Sequence, residues 1–285
     1  MNSNLEIVVW DVQHGNAIYM KTPNGKHVMF DIGTGSYEDG QEFSPLNYLK
    51  DEWDVDCLHY LVISHPHADH ISDISNMFDL ELKPKALTRP KNIDSDLISN
   101  SNQDEYSDLV DLYLELDRTY INPVSSESDP SNPSNNGEVE IVSFWQDESG
   151  TSNLNNYSIV AVIEYAGEKI IIPGDIEEAG WKVLLEREDF QQAIEDTTIF
   201  VASHHGRKAG YHSNVFDYFE PDVVIVSDGR YSDTSVTDRY RNYAQGFEVK
   251  SRSTEESETR YVLTTRNDGV IYIRVEDTSK VITIK

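Results

Sequence analysis

The stretch Ser64-His65-Pro66-His67-Ala68-Asp69-His70 places three histidines and one carboxylate within six residues, in a chain with 9 histidines among 285 residues. Imidazole nitrogen and carboxylate oxygen are the ligands of zinc, manganese and iron. Crowded histidines cost charge or desolvation unless something binds them, so this stretch reads as a metal loop. His65 and His67 are alternate residues, and in extended chain alternate side chains point the same way, so both can grip one ion. Asp69 and His70 can then turn to a second. Further along, Gly174-Asp175 and Ser203-His204-His205-Gly206 each follow an apolar run. Asp175 and one of His204 or His205 would complete the set, and the two oxygens of Asp175 can bridge both ions. Paired cations would lower the pKa of a water between them and supply hydroxide near neutral pH. The expected cofactor is therefore two divalent ions, zinc or manganese, with Asp69 and Asp175 as the candidate catalytic carboxylates.

The elements that must position these residues follow from pattern and punctuation. Residues 5–11, 17–21 and 27–31 read as strands, the last two joined by a Pro23-Asn24-Gly25-Lys26 turn. The third ends in Asp31-Ile32-Gly33-Thr34-Gly35, a carboxylate before a glycine loop. Residues 43–49 suggest a short helix, 58–63 the strand that carries the histidines, 71–78 a helix leading out, and 86–89 another strand. Residues 91–136 read as an insertion, with apolar residues at helical spacing over 106–120 and a Ser-, Asn- and Pro-rich loop from 122 to 137. Loops of that length are usually lids over a site or simply mobile. Strands are expected again at 139–145, 157–165, 169–173, 198–202 and 223–226, with helices near 181–185, 215–219 and 236–245. Residues 260–265 and 269–275 read as a terminal hairpin turning at Asn267-Asp268-Gly269. Strands and helices alternate, and acidic or histidine residues fall on several strand-end loops. This favours a single α/β domain over residues 1–285 in which two sheets are covered by helices.

The formal charge is -28, a field that repels nucleic acid and acidic membranes. It is uneven: residues 1–199 carry a net -27 and residues 200–285 a net -1. The second part holds Arg207, Arg230, Arg239, Arg241, Arg252, Arg260, Arg266 and Arg274, so an anionic substrate could be met there. Arg207 and Lys208, beside the histidine pair, are candidates to bind substrate phosphate. No apolar stretch approaches the roughly 20 residues needed to span a bilayer. The N-terminus lacks the regions of a signal peptide, and the single cysteine, Cys57, allows no intrachain disulfide, so a cytoplasmic location is expected.

The His-x-His-x-Asp-His spacing resembles the signature of the metallo-β-lactamase superfamily. Other motifs resemble the hydrolase domain of the DNA-uptake protein ComEC and its free-standing bacterial relatives: Asp11-Val12-Gln13-His14-Gly15, the Pro23 to Lys26 turn, Asp31 to Gly33, Asn155-Asn156-Tyr157-Ser158, Gly174-Asp175 and His204 to Gly206. The resemblance covers the chain apart from about residues 91–136. It implies a four-layer αββα sandwich with a dinuclear site at the open edge of two sheets, and hydrolysis, in such proteins of phosphodiesters. It also implies that Asp31 orients the histidine loop from behind. Asn155 and Asn156 stand where the superfamily usually has a further histidine, Asn16 where the family has a small acidic residue, and Arg207 where it commonly has serine. Relatives often place Gly-His-Gly at the later ligand, which favours His205 over His204. His14, on a strand-end loop, could reach the site, with packing the favoured role, and His27 and His59 are expected to be structural. The substrate expected is a phosphate-containing small molecule or nucleic acid. Hydrolysis of a lactone, thioester or amide, and a non-catalytic metal-binding sensor, are the alternatives.

Overall fold

The computed structural model describes residues 4–36, 40–91, 93–146, 151–229 and 235–285. Arg230, one of the arginines singled out above, lies outside them. Two sheets face each other. The first runs in the order Ser257–Arg260, Phe247–Ser251, Ser279–Ile284, Ile271–Glu276, Leu5–Val9, Ile18–Lys21, His27–Phe30, Tyr60–Val62, Ala86–Thr88. The second runs Val262–Thr264, Val223–Val226, Ile199–Val201, Glu168–Ile172, Val160–Tyr165, Glu140–Phe144. The period-two alternation of strands sorts their residues into layers. Leu5, Ile7 and Val9 face Ala161, Ile163 and Ile170 in a core between the sheets. Val8 faces outward with Leu46, Leu49, Ile74 and Tyr113, under helices Pro45–Trp53, Ile74–Asp79 and Ser107–Thr119. Val160 and Val162 face the other way with Trp181, Leu184 and Phe190, under Glu178–Leu185 and Glu188–Ile194. Helix, sheet, sheet, helix is the αββα sandwich expected. Among the described residues no helix is long and apolar enough to cross a membrane.

Strands Phe247–Ser251, Ser257–Arg260 and Ser279–Ile284 were not expected, and three other elements depart from the sequence reading. The helix after the histidine strand starts at Ala68, inside the motif, and continues as Ile74–Asp79. The polar first part of the 91–136 segment forms a helix, Ser95–Ser101, capped by Asp94, whose side chain accepts from the Asp96 N–H. There is no hairpin at Asn267-Asp268-Gly269. Val262–Thr264 belongs to the second sheet and Ile271–Glu276 to the first, where it pairs with Leu5–Val9 and Ser279–Ile284. The apparent turn is a short helix, Thr265–Asp268, capped by Thr264 and carrying the chain across the sandwich.

Helix Ser107–Thr119 buries Val110, Tyr113 and Leu116. Its last turn is closed by Arg89, whose guanidinium donates to the Asp117 carboxylate at 2.7 Å and to the Asp117 and Tyr120 carbonyls at 2.8 and 3.1 Å. The two sheets are also tied at one side by Lys280, with a side chain 5% exposed. Its ammonium lies 2.5 Å from Glu168 of the second sheet and also pairs with Asp222. Removing one partner of a buried ion pair leaves the others uncompensated. Lys280→Ala should therefore lower the unfolding free energy in urea by about 3 kcal/mol. A loss below about 1 kcal/mol would mean that water screens the cluster as it screens surface pairs.

Candidate metal centre

The strands of both sheets end at one edge, and the loops that leave them carry His65, His67, Asp69, His70, Asp175, His204 and His205. His65 and His70 are fully buried and Asp175 nearly so. The helix beginning at Ala68 puts His70 one turn past His67, so its ring returns beneath the loop to lie 4.2 Å from that of His65. The ligand atoms of His65, His70 and Asp175 lie close enough together to hold a metal ion, and so do those of Asp69, His205 and His14. His67 lies at the junction, its Nδ1 2.9 Å from His65 Nε2. Asp69 and His70, expected on a loop, lie in the helix Ala68–Ile71.

The tautomers follow from the partners. His205 Nδ1 lies 3.1 Å from the Ser227 carbonyl, which only accepts, so Nδ1 carries a proton and the neutral ring keeps its lone pair on Nε2. His70 Nδ1 lies 2.8 Å from Asp31 Oδ2 and donates to it in the same way. Both Nε2 atoms are buried and without a hydrogen-bond partner. His70 Nε2 lies 3.3 Å from Asp175 Oδ1, and His205 Nε2 lies 3.3 Å from Asp175 Oδ2 and 3.4 Å from Asp69 Oδ2. Ligand atoms around a tetrahedral zinc lie about 3.3 Å from one another when each bond is about 2.0 Å. Orphaned, inward-facing lone pairs at that spacing fit divalent cations, and the two oxygens of Asp175 face the two groups separately.

Charge without a cation is balanced by protons. Burial works against a charged His205, but Asp175 and Asp69 outweigh it and push its pKa up to about 10. Burial likewise opposes, and Asp175 and Asp31 overcome, the rise at His70. Asp175 and Asp69 are held low by these histidines against the opposing effect of their own burial. His65 is driven low by burial and by His70.

The backbone here is held in uncommon conformations. His204 and His205 have φ of 51° and 53° and precede Gly206 at 70°, three left-handed residues in succession. Such conformations cost about 1–3 kcal/mol each in residues with a Cβ. The turn is fixed by His204 N–H donating to the Gly174 carbonyl and Arg207 N–H to the His204 carbonyl. Gly33 lets the glycine loop close on the motif, since a Cβ there would sit 2.5 Å from the Asp69 carbonyl oxygen. Beneath the motif, Asp31 accepts from Ser64 N–H at 2.7 Å, Ser64 Oγ at 2.8 Å and Asn16 Nδ2 at 3.0 Å, besides His70.

Above the ligands lies a cleft of about 470 Å3. His14, His67, Asp69, Asn155, Asp175, His204 and Arg207 line it, and Ser101, Asn102, Gln103 and Tyr106 of the 91–136 segment form one wall. Asn102 pins that wall to the motif, accepting from Ala68 N–H at 2.8 Å and donating to the Pro66 carbonyl at 3.0 Å. It thereby caps the helix whose own N-cap, His67, makes no side-chain cap. Nothing in the spacing of an isolated asparagine signals this role. Glu177 was also missed: its carboxylate accepts from Asn153 and Asn155 and lies 3.2 Å from His204 Nδ1.

The remaining expected residues divide. Asn155 reaches the cleft, its Oδ1 buried without a partner. Asn156 does not line it. Its Oδ1 accepts from the N–H groups of Glu177 and Gly180 and so starts the helix Glu178–Leu185. Arg207 is the only lysine or arginine lining the cleft among the described residues, while Lys208 is exposed outside it. Most other C-terminal arginines are engaged elsewhere: Arg260 with Asp268, Arg266 with Asp228, Arg274 with Glu276, and Arg252 over the Tyr272 ring. His27 and His59 pair far from the site, and His14 is brought into it.

Residues 10–257 match the family model described as metallo-beta-lactamase superfamily. The chain belongs to that superfamily. It is a metal-dependent hydrolase with the fold of that family. No protein with a curated description matches it. Its fold is similar to that of a metal-dependent hydrolase of the beta-lactamase superfamily, at 13% identity over 96% of this chain and 100% of that one, with a TM-score of 0.46. It is similar also to a diphosphatase of the PhnP family, at 8% identity over 95% and 98%, TM-score 0.46. A third similar structure is zinc-bound PqqB of Methylobacterium extorquens, at 12% identity over 79% and 89%, TM-score 0.38.

In the metal-free hydrolase, His205 and His70 hold protons that the unfolded chain releases near pH 6.5. A raised folded-state pKa contributes stability fully below the unfolded value, lost as pH rises through the folded one. Thermal melts of the metal-free protein should therefore fall from about pH 6.5 toward pH 10. Saturating zinc, which replaces those protons, should flatten the decline. An equal slope with and without zinc would contradict the ligand assignment.

Proposed function

We propose that this hydrolase holds two divalent cations, zinc or manganese, and cleaves a small phosphodiester such as a nucleotide-derived messenger, as a member of the ComEC-like branch. The observation that carries the reading is the placement of the Arg207 guanidinium in the same cleft as the ligand-facing oxygens of Asp175. Bound between these groups, the cations would polarise a phosphoryl oxygen and make hydroxide available near neutral pH. His65, His67, His70 and Asp175 would hold one ion, and Asp69, His205 and Asp175 the other. The donor set contains no thiolate, which suits zinc or manganese.

The protein's own residues do the rest. Asp175, fixed by its N–H donating to Ser158 Oγ at 3.1 Å, sets the spacing between the two halves. Asp31 holds His70 in the tautomer that presents Nε2 to the site. Arg207 would take the non-reacting phosphoryl oxygens, a paired contact for which a planar guanidinium is suited. His204, with Nε2 3.8 Å from Asp175 Oδ2 and 3.5 Å from Arg207 Nη1, would face the substrate instead of holding an ion. The wall formed by Asn102, Gln103 and Tyr106 narrows the cleft, which together with the charge of -28 favours a small substrate over long nucleic acid.

The test is a metal-loaded panel of an aryl phosphodiester, cyclic dinucleotides, single-stranded DNA, a lactone and a thioester. Phosphodiester turnover is expected, abolished by Asp175→Asn. Arg207→Ala should lower kcat/KM on the diester by about 10–100-fold, the worth of a charged hydrogen bond. Turnover of the lactone or thioester alone would sink this reading.

A further inference from the structure

His14, for which packing was favoured over a place in the site, stands at the open side of the Asp69–His205 group. Its ring lies 4.7 Å from that of His205, and its Nε2 is 3.9 Å from Asp69 Oδ2, the same oxygen that His205 Nε2 approaches at 3.4 Å. The three ligand atoms lie within 4.8 Å of one another. The loop is built to hold it there. Gln13, immediately before, has φ of 61°, with its amide donating to the Ser36 carbonyl at 3.0 Å and its N–H to Asp11 Oδ1 at 3.3 Å.

The protonation of His14 is set by its neighbour. Arg207 Nη2 lies 2.7 Å from His14 Nε2. A guanidinium has donors only, so Nε2 must present a lone pair, which is what a metal ion requires. One lone pair cannot serve both cations.

We propose that His14 is a ligand of the second cation, alongside Asp69 and His205, and that Arg207 competes with that cation for His14 Nε2. This rests on the reading that the site takes two ions. The two halves should then differ in hold. His65 and His70 are fully buried and the Asp175 side chain is 5% exposed, whereas in the second half only His205 is buried and the Asp69 and His14 side chains are 28% and 47% exposed. The buried half would fill first, and the His14 half would be the exchangeable one.

The experiment is a calorimetric titration of metal-free protein with zinc, with bound ions counted by elemental analysis, and a parallel cobalt titration read by visible absorption. Wild type should take two ions in two steps. His14→Ala should leave the first unchanged, weaken the second by about 10–100-fold, and alter only the cobalt band of the second ion. His14→Gln, with a poorer donor of similar reach, should fall between, and the metal-free melts of both variants should match wild type. Arg207→Met should tighten the second ion several-fold, and this gain should vanish in the double variant with His14→Ala. If His14→Ala and His14→Gln bind both ions as wild type does, the assignment is wrong. If the gain from Arg207→Met persists in the double variant, Arg207 acts by charge alone and the competition is refuted. Uptake of fewer than two ions by wild type would overturn the two-ion reading itself.

Discussion

One buried carboxylate governs the geometry of this site. Asp31 is 1% exposed and accepts four hydrogen bonds, from Ser64 N–H, Ser64 Oγ, Asn16 and His70. A buried carboxylate without such donors would be costly, and one saturated with them is rigid. Because its donors come from the segments after two strands, Leu5–Val9 and Tyr60–Val62, and Asp31 itself follows a third, His27–Phe30, satisfying Asp31 fixes these segments against one another. The strained backbone at Asp31 itself, with φ of 55°, is one consequence. The orientation of His70 is another, since a histidine that donates through Nδ1 can present only Nε2 to the site.

The same logic repeats at the second sheet. Ser227 takes the Nδ1 proton of His205 on its carbonyl and donates its hydroxyl to the Gly15 carbonyl at 2.7 Å. The loop bearing His205 is thereby joined to the loop bearing His14. The two sheets meet at their open edge through side chains that want a cation between them and through backbone bonds that hold them ready. The left-handed residues His204 and His205 mark where the backbone departs from its preferred conformations to reach that arrangement.

Much of this was legible in the sequence because it is local. Three histidines in six residues, a Gly-Asp at a strand end and a His-His-Gly at another are short patterns with a direct chemical meaning. The mix of strands and helices pointed to two sheets covered by helices, and the four-layer sandwich came with the family resemblance. What escaped was non-local or disguised. Asn102 reaches the motif over 34 residues, and no spacing rule links an asparagine to a helix it caps from outside. Asn267-Asp268-Gly269 carries the composition of a hairpin turn, but the hydroxyl of Thr264 converts it into a helical turn between sheets. The C-terminal arginines looked like a patch for anions, and the fold spends most of them on carboxylates and rings away from the cleft.

The 91–136 segment is the part of the chain that the family pattern does not explain, and its position bears on why this hydrolase has the cleft it does. It is anchored at both ends of its helices: Arg89 closes the last turn of Ser107–Thr119, and Asn102 holds the loop between the two helices to Pro66 and Ala68. A wall fixed by hydrogen bonds to the motif itself cannot move without disturbing His67 and Asp69. Access to the cleft is then set by the opposite side, where His14 stands exposed beside the half-buried Arg207. Rigidity on one side and a more open face on the other is the arrangement that the proposed reading, a tightly held ion beside an exchangeable one and an anionic substrate, would require.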